Sequence, residues 1–312
     1  MIKYLKNIDH RTVEVDEPEN DIWVNVLPPL RQEEFLKLSE DLEIPIDFLS
    51  DSLDIDERSR YEEDDNVRLI VIKTPTENHS FNDSDAYYVT IPISIILTHN
   101  QIVTVNSFDN PAIKKFLNTF QNRQSEKRGM MVVKIIEKVV QNYMEHLKEI
   151  NRKRNIIEQR LYDANKNEQL LELMKIQKSL VYFVTALRSN EMLLAKMKRT
   201  NFLRLTEDES ELLEDLMVDN SQALEMANIY TNILSSSMDA FASIIANNQN
   251  EVLKRLTIAT IALTIPVLLA SIFGMNLANG MENSPTAFYI ISAISLIFCI
   301  ITGYIALRKK ML

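Results

Sequence analysis

The stretch NEVLKRLTIATIALTIPVLLASIFGMN, from Asn250 to Asn276, decides how the rest of the chain is read. From Leu256 to Phe273 it carries no charged side chain. Helical residues rise about 1.5 Å each, so this run spans roughly 27 Å, close to the hydrocarbon thickness of a bilayer. A second uncharged run, Ala287 to Leu307, follows a short polar loop, so the chain is expected to cross a membrane and return. Lys254 and Arg255 precede the first run and Arg308, Lys309 and Lys310 follow the second, whereas the loop Leu277 to Thr286 carries only Glu282. The positive-inside rule then predicts both termini on the cytoplasmic side of the plasma (inner) membrane.

The first run is not uniformly apolar. Every seventh residue gives Ser236, Ser243, Asn250, Thr257, Thr264 and Ser271, with Thr260 beside them. A repeat of seven returns nearly to one helix face, which Leu253 and Val267 share. Such hydroxyls can bond back to their own i−4 carbonyls or hold neighbouring helices together. They can also mark an ion path, and we expect this face to line a pore. A single helix encloses nothing, so the reading requires a homo-oligomer with cyclic symmetry. The second run is apolar on all sides and should form an outer, lipid-facing ring. Its Cys299 reads as a small packing or lipid-facing residue rather than a reactive thiol.

Gly274-Met275-Asn276 stands where the first span meets the outer surface, and here the sequence resembles the CorA family of magnesium channels, identified by Gly-Met-Asn at this place. The run Asn250 to Thr257, Pro266, the two-span carboxyl end and the basic last residues carry the same resemblance. It extends over the whole chain: Trp23-Val24-Asn25 is similar to the family's early Trp-bearing strand, and Pro45 through Asp51-Ser52-Leu53 to Arg58 and Arg60 to the helix and basic turn that follow. The resemblance implies a homopentamer carrying Mg2+, with Co2+ or Ni2+ as incidental cargo, and Gly274, Met275 and Asn276 as its selectivity filter. It further implies that Asp51, Asp215 and Glu137 align with acids that bind regulatory Mg2+ between neighbouring subunits. Ser50 stands where the family has another acid.

The chemistry of the ion agrees with a neutral filter. Magnesium takes oxygen ligands octahedrally and sheds water reluctantly, so a ring of Asn276 carboxamides can hydrogen-bond its hydration shell without stripping it. A carboxylate ring would hold the ion too tightly for conduction, and neither span contains Asp or Glu. Passive entry is adequate: one charge moved across 100 mV is worth about 2.3 kcal/mol, and a dication gains roughly 4.6 kcal/mol. A zinc-transporting relative on the same scaffold is an alternative, although zinc favours nitrogen and sulfur and the stripe offers neither. A membrane-anchored helical scaffold or sensor without conduction is another, but a plain anchor needs only an apolar span.

The rest of the chain bounds the soluble portion. The 312 residues carry a net charge of −10, with 24 acidic against nine basic side chains from Met1 to Asp109. That balance argues against nucleic acid as a partner. One cysteine excludes a disulfide framework and a cysteine zinc site. The amino-terminal Met1-Ile2-Lys3-Tyr4-Leu5 has no long apolar segment of a cleavable signal. His10, His79, His99 and His146 are scattered without metal-ligand spacing. No nucleophile motif or phosphate loop appears, so neither an enzyme nor an organic cofactor is expected.

Four glycines in the whole chain favour long helices. Residues 1–110 read as a cytoplasmic α/β domain, with strands at Arg11–Val15, Ile22–Val26, Val67–Lys73, Tyr87–Leu97 and Ile102–Asn106 and helices at Arg31–Leu42 and Ile46–Leu53. Glu62–Asp65 reads as a solvated charged face. Residues 111–205 should hold a long antiparallel helix pair, about Lys127–Asn165 and Glu168–Arg199, meeting at a polar turn over Asp163–Asn167. Thr206 and Glu209 match a capping box, and the helix they open has no Pro before Pro266 and no Gly before Gly274. The expected order is therefore a stalk helix over 206–255, a first span over 256–276, a loop over 277–286, a second span over 287–307 and a basic tail over 308–312. The fold class is an α+β membrane protein.

Overall fold

The computed structural model describes residues 2–8, 11–16, 22–27, 32–78, 86–106, 110–120, 127–161, 166–275 and 286–308. The chain divides into two compact units, Met1–Ser236 and Ser237–Leu312.

The first unit is built on a seven-stranded sheet. Its elements, in chain order, are β1 (Ile2–Ile8), β2 (Arg11–Val15), β3 (Trp23–Val26), α1 (Gln32–Leu42), α2 (Ile46–Asp51), β4 (Arg60–Asp64), β5 (Val67–Glu77), β6 (Tyr88–Leu97), β7 (Ile102–Asn106), α3 (Pro111–Phe120), α4 (Arg128–Leu161) and α5 (Lys166–Thr200). The sheet order is β2-β1-β3-β7-β6-β5-β4, with β3 and β7 parallel and every other pair antiparallel. The mixed sheet is the one the sequence predicts, with two strands added. β1 inserts between β2 and β3, and Arg60–Asp64 forms the edge strand β4, with the expected solvated face at Glu62–Asp65 exposed. β5 also runs on through Pro75 to Glu77, and α2 stops at Asp51, short of the expected Leu53.

Both faces of the sheet are covered. Leu69 and Val71 of β5 join Val24, Val103 and Val105 in one core with Leu38, Phe48 and Leu49 of α1 and α2. The alternating Ile70 and Ile72, equally buried, point to the other face. There α4 and α5 pack on β5 and β6. Tyr143 of α4 and Phe183 of α5 meet edge to face at 5.3 Å between ring centroids, and Tyr88 stacks beside them.

Asn190 of α5 ties this layer to the sheet edge. β4 ends at Arg60, opposite Val71, and two residues on the Lys73 backbone faces the place where β4 would continue. The Asn190 carboxamide takes that place: its Oδ1 accepts from Lys73 N at 3.1 Å and its Nδ2 donates to Lys73 O at 2.9 Å. Ser59 Oγ donates to the same Oδ1 at 2.7 Å.

The last two elements are α6 (Glu207–Phe273) and α7 (Ala287–Arg308). α6 is one helix of 67 residues with Pro266 inside it. Its start shows the glutamate half of the predicted capping box: Glu209 Oε2 accepts from Thr206 N at 2.9 Å, and that backbone hydrogen bond lowers the Glu209 pKa. Leu213, Leu216, Asn220 and Ala223 are buried on one face, with Asn220 Nδ2 donating to the Leu187 carbonyl of α5 at 3.1 Å. α6 and α7 each contain a segment long and apolar enough to cross a membrane, with mean hydropathies of 2.3 and 2.2. Of the turn at 163–167, residues 163–165 lie outside the described residues, as do Lys309 and Lys310.

Candidate functional site

The seven candidate pore residues Asn250, Leu253, Thr257, Thr260, Thr264, Val267 and Ser271 are all exposed in the single chain. The half-buried positions of the same span are Ile258, Ala262, Ile265, Pro266 and Leu269. Cys299 Sγ of α7 donates to the Ala262 carbonyl at 3.3 Å, which identifies the half-buried arc as the side turned to the second span. At about 100° per residue, the centres of the two arcs lie roughly 155° apart. The polar stripe thus faces away from α7.

α7 has a contact side of its own. Ile291, Ser295, Phe298, Cys299, Thr302 and Gly303 are its half-buried positions, so Ser295, Thr302 and Gly303 share the side toward α6 with Ile291 and Phe298. The expectation of a helix apolar all round is corrected to that extent. Cys299 lies between the spans.

The hydroxyl geometry joins the two sequence readings of the stripe. Thr257 Oγ1 donates to Leu253 O at 2.8 Å, Thr260 Oγ1 to Leu256 O at 2.9 Å and Thr264 Oγ1 to Thr260 O at 2.7 Å. Each hydroxyl hydrogen is spent inside the helix, and each exposed oxygen keeps lone pairs facing outward. The face therefore presents acceptors. Water bound to a cation turns its hydrogens outward, so this is the polarity a hydrated cation meets favourably.

At the end of α6, Gly274 N still donates to Ala270 O at 2.9 Å, and Met275 N reaches Ile272 O at 3.5 Å. A Cβ on Gly274 would approach the Ala270 oxygen at 3.0 Å, so glycine lets the chain leave the helix there without crowding. Asn276 and Glu282 lie outside the described residues.

The three candidate regulatory acids occupy separate places. Asp51, at the end of α2, accepts from Arg60 Nη2 at 2.7 Å. Arg60 also donates to Glu57 at 2.7 Å and to Glu62, forming a hub of three carboxylates on one guanidinium. Burial pulls the Arg60 pKa down, but Glu57 and Glu62 more than offset it and the net shift is upward. Glu137 of α4 accepts from Gln141 Nε2 at 2.7 Å and has Lys138 at 3.9 Å. Asp215 of α6 is exposed. Among the described residues no group of three or more His, Cys, Asp or Glu side chains is placed to hold a metal ion. Asp51 and Asp215 are hard oxygen donors of the kind magnesium accepts, but one chain does not assemble them into a site. The Asp51–Arg60 pairing depends on β4, which on spacing alone reads as a charged surface run.

Of the histidines, His10 and His79 lie outside the described residues. His146 lies against Tyr88, with ring centroids 4.6 Å apart, and burial lowers its pKa despite Glu149 at 3.8 Å.

A two-faced sheet domain, a long helical pair and a helix that runs on into the first of two candidate membrane spans make up the architecture. The chain belongs to the CorA family: the family profile described as CorA-like Mg2+ transporter protein matches residues 19–309. The cobalt/magnesium transport protein CorA of Methanocaldococcus jannaschii is 28% identical over 294 residues, covering 92% of this chain and 90% of that protein. The complete structure of the CorA magnesium transporter from the same organism superposes with a TM-score of 0.83 at 26% identity, over 99% of this chain and 98% of that one. The ZntB cytoplasmic domain from Vibrio parahaemolyticus shares the fold at 14% identity, with a TM-score of 0.60 over 80% of this chain and 98% of that one.

Proposed function

We propose that this protein forms a homo-oligomeric, pentameric pathway through which hydrated Mg2+, and incidentally Co2+ or Ni2+, crosses the plasma membrane passively, driven by the membrane potential. The observation that carries the reading is the outward-facing hydroxyl oxygens of Thr257, Thr260 and Thr264, on the side of α6 turned away from the second span. Cyclic copies of α6 placed with this face inward enclose a path that bonds to the water around a cation, with α7 outside. Asn276, following Gly274 and Met275, closes the outer end with a ring of carboxamides. The neutral stripe and the absence of Asp and Glu from both spans fit an ion that passes with its hydration shell and leaves readily. The oxygen-only lining ranks magnesium above zinc.

Regulation follows from the acids. Asp51 of one subunit paired with Asp215 of the next, with Glu137 as a further acid, would repel when bare and be bridged by a dication. Cytoplasmic Mg2+ would then favour the closed state. Both termini are cytoplasmic in this reading, and no nucleic acid or organic cofactor takes part.

The test is ion flux into liposomes containing only this protein, with Mg2+, Co2+, Ni2+ and Zn2+ supplied in turn. Asn276→Ala should abolish Mg2+ uptake while the oligomer stays assembled. Wild-type flux in an assembled Asn276→Ala protein would remove Asn276 from the filter.

A further inference from the structure

A cavity of about 680 Å³ lies between α5 and the segment leading into β4. Its wall is mostly apolar, with Val89, Val181, Tyr182 and Met192, and it also holds Arg58, Lys73, Arg188 and Asp56. Lys73 is already committed. Its Nζ donates to the Ile55 carbonyl at 2.5 Å and has Asp54, Asp56 and Glu57 for neighbours. Arg58 and Arg188 are exposed, and neither bonds to another of the described residues. Two free guanidinium groups beside exposed Val181 and Met192 call for an occupant that is anionic and apolar at once.

The same chain carries a surface of that description. Between Glu207 and Asp219, α6 has seven acidic side chains and no basic one. Its buried face is spent on its own chain, where Asn220 meets the Leu187 carbonyl and Glu214 pairs with Lys198 at 2.7 Å. Leu212, 48% exposed, and the exposed Asp215 and Asp219 follow at spacings of three and four, and so form one ridge with a leucine at its head.

We infer that the cavity beside α5 receives the Leu212–Asp215–Asp219 ridge of a second copy's α6, with Leu212 against the apolar wall and the two aspartates toward Arg58 and Arg188. The inference rests on the homo-oligomer proposed above and on the facing of Asp51 and Asp215 across it. The cavity segment, Ile55 to Arg58, follows directly on the α2 end that bears Asp51, so one docking serves both. It adds to that reading a contact needing no metal, which keeps the acidic faces of neighbouring subunits in register when magnesium is low. A small amphipathic anion is the competing occupant.

Cysteine pairs in the full-length protein test it, in a Cys299→Ser background and in chelator, so that bridging by metal cannot contribute. Arg188→Cys with Asp219→Cys, and Met192→Cys with Leu212→Cys, should each give a ladder of intersubunit adducts with a short bis-maleimide on a denaturing gel. Arg188→Cys with Lys148→Cys, on the exposed side of α4, should give none. Arg188→Glu should lower the assembled fraction at least severalfold in native mass spectra, and Arg188→Glu with Asp219→Arg should restore it. No ladder from either test pair in a folded, assembled protein overturns the inference, as does a cavity cysteine that stays freely reactive in the assembly. Failure of the Asp51–Asp215 metal site shows separately, as Mg2+ protection from protease unchanged in Asp51→Asn, which leaves the ridge intact. Ladders formed in that variant uphold the docking by itself.

Discussion

If Asp51 binds magnesium as proposed, Arg60→Gln should shift the magnesium response of the sheet-bearing unit to lower concentration. Arg60 Nη2 lies 2.7 Å from Asp51 Oδ2, and the two side chains are 31% and 38% exposed, so water screens the pair substantially. Exposed pairs of this kind are worth about 0.2–1 kcal/mol. A dication arriving at Asp51 competes with the guanidinium for the same oxygen, and removing the guanidinium returns that free energy to metal binding. The Mg2+ midpoint should fall by about 1.4- to 5-fold, since each 1.4 kcal/mol is a factor of ten. Glu57 and Glu62, left without their shared cation, make the neighbourhood more negative and act in the same direction. The assay is protease protection of the intact protein titrated with Mg2+ at constant ionic strength, because screening would otherwise move the midpoint by itself. Arg60→Lys keeps the charge and should stay near the wild type. A midpoint that is unmoved or raised in Arg60→Gln would refute the competition and take Asp51 out of the regulatory site.

Three further outcomes are expected. Asn190→Ala strips the Lys73 backbone and the Ser59 hydroxyl of a buried partner, a cost of about 2–4 kcal/mol that should lower Tm by about 4–16 °C. An Asn190→Ala protein melting with the wild type by circular dichroism would contradict the edge-capping role. In a Cys299→Ser background, cysteines at Thr257, Thr264 and Ser271 should react with small water-soluble thiol reagents, and cysteines at Ile258 and Ile265 should not; uniform labelling would show that the stripe does not border water. Burial holds the His146 imidazole below its ordinary value of 6.5. The unfolded chain therefore takes up a proton first as pH falls, so stability is full above about pH 6.5 and declines below it. His146→Gln should flatten that slope in chemical denaturation at pH 5 to 7, and a slope unchanged by the substitution would locate the titration elsewhere.

What the sequence made legible is what periodicity and length encode. The apolar run from Leu256 to Phe273, the hydroxyl register and the capping box at Thr206 need only one helix to be read, and the structure has them on α6. The sheet was legible where its strands are buried on both faces, because Val, Ile and Leu accumulate there, as in β5 and β6. β4 was missed for the opposite reason: an edge strand with charged side chains looks like solvated loop, and edges are often guarded in this way. The signal lay in the next two residues. Asp65 and Asn66 both have positive φ, 42° and 72°, and residues that tolerate that conformation between two extended runs mark a tight hairpin. Missing it hid Arg60 as the partner of Asp51. Side-chain facts such as the direction of the threonine hydroxyls, or an amide standing in for a strand, depend on atoms distant in sequence or on rotamer choice, and no spacing rule carries them.

Trp23 is the only tryptophan in the chain. It is 1% exposed, its Nε1 donates to Thr104 Oγ1 at 2.9 Å, and its ring meets Phe116 of α3 at 5.1 Å. Intrinsic fluorescence excited at the indole band therefore comes from one place, the parallel seam of β3 and β7, and none of it arises in the spans. Steady emission during transport would mean that the seam stays rigid while ions pass. A shift on adding magnesium would be an optical record of a change reaching the middle of the sheet, obtained without attaching any label.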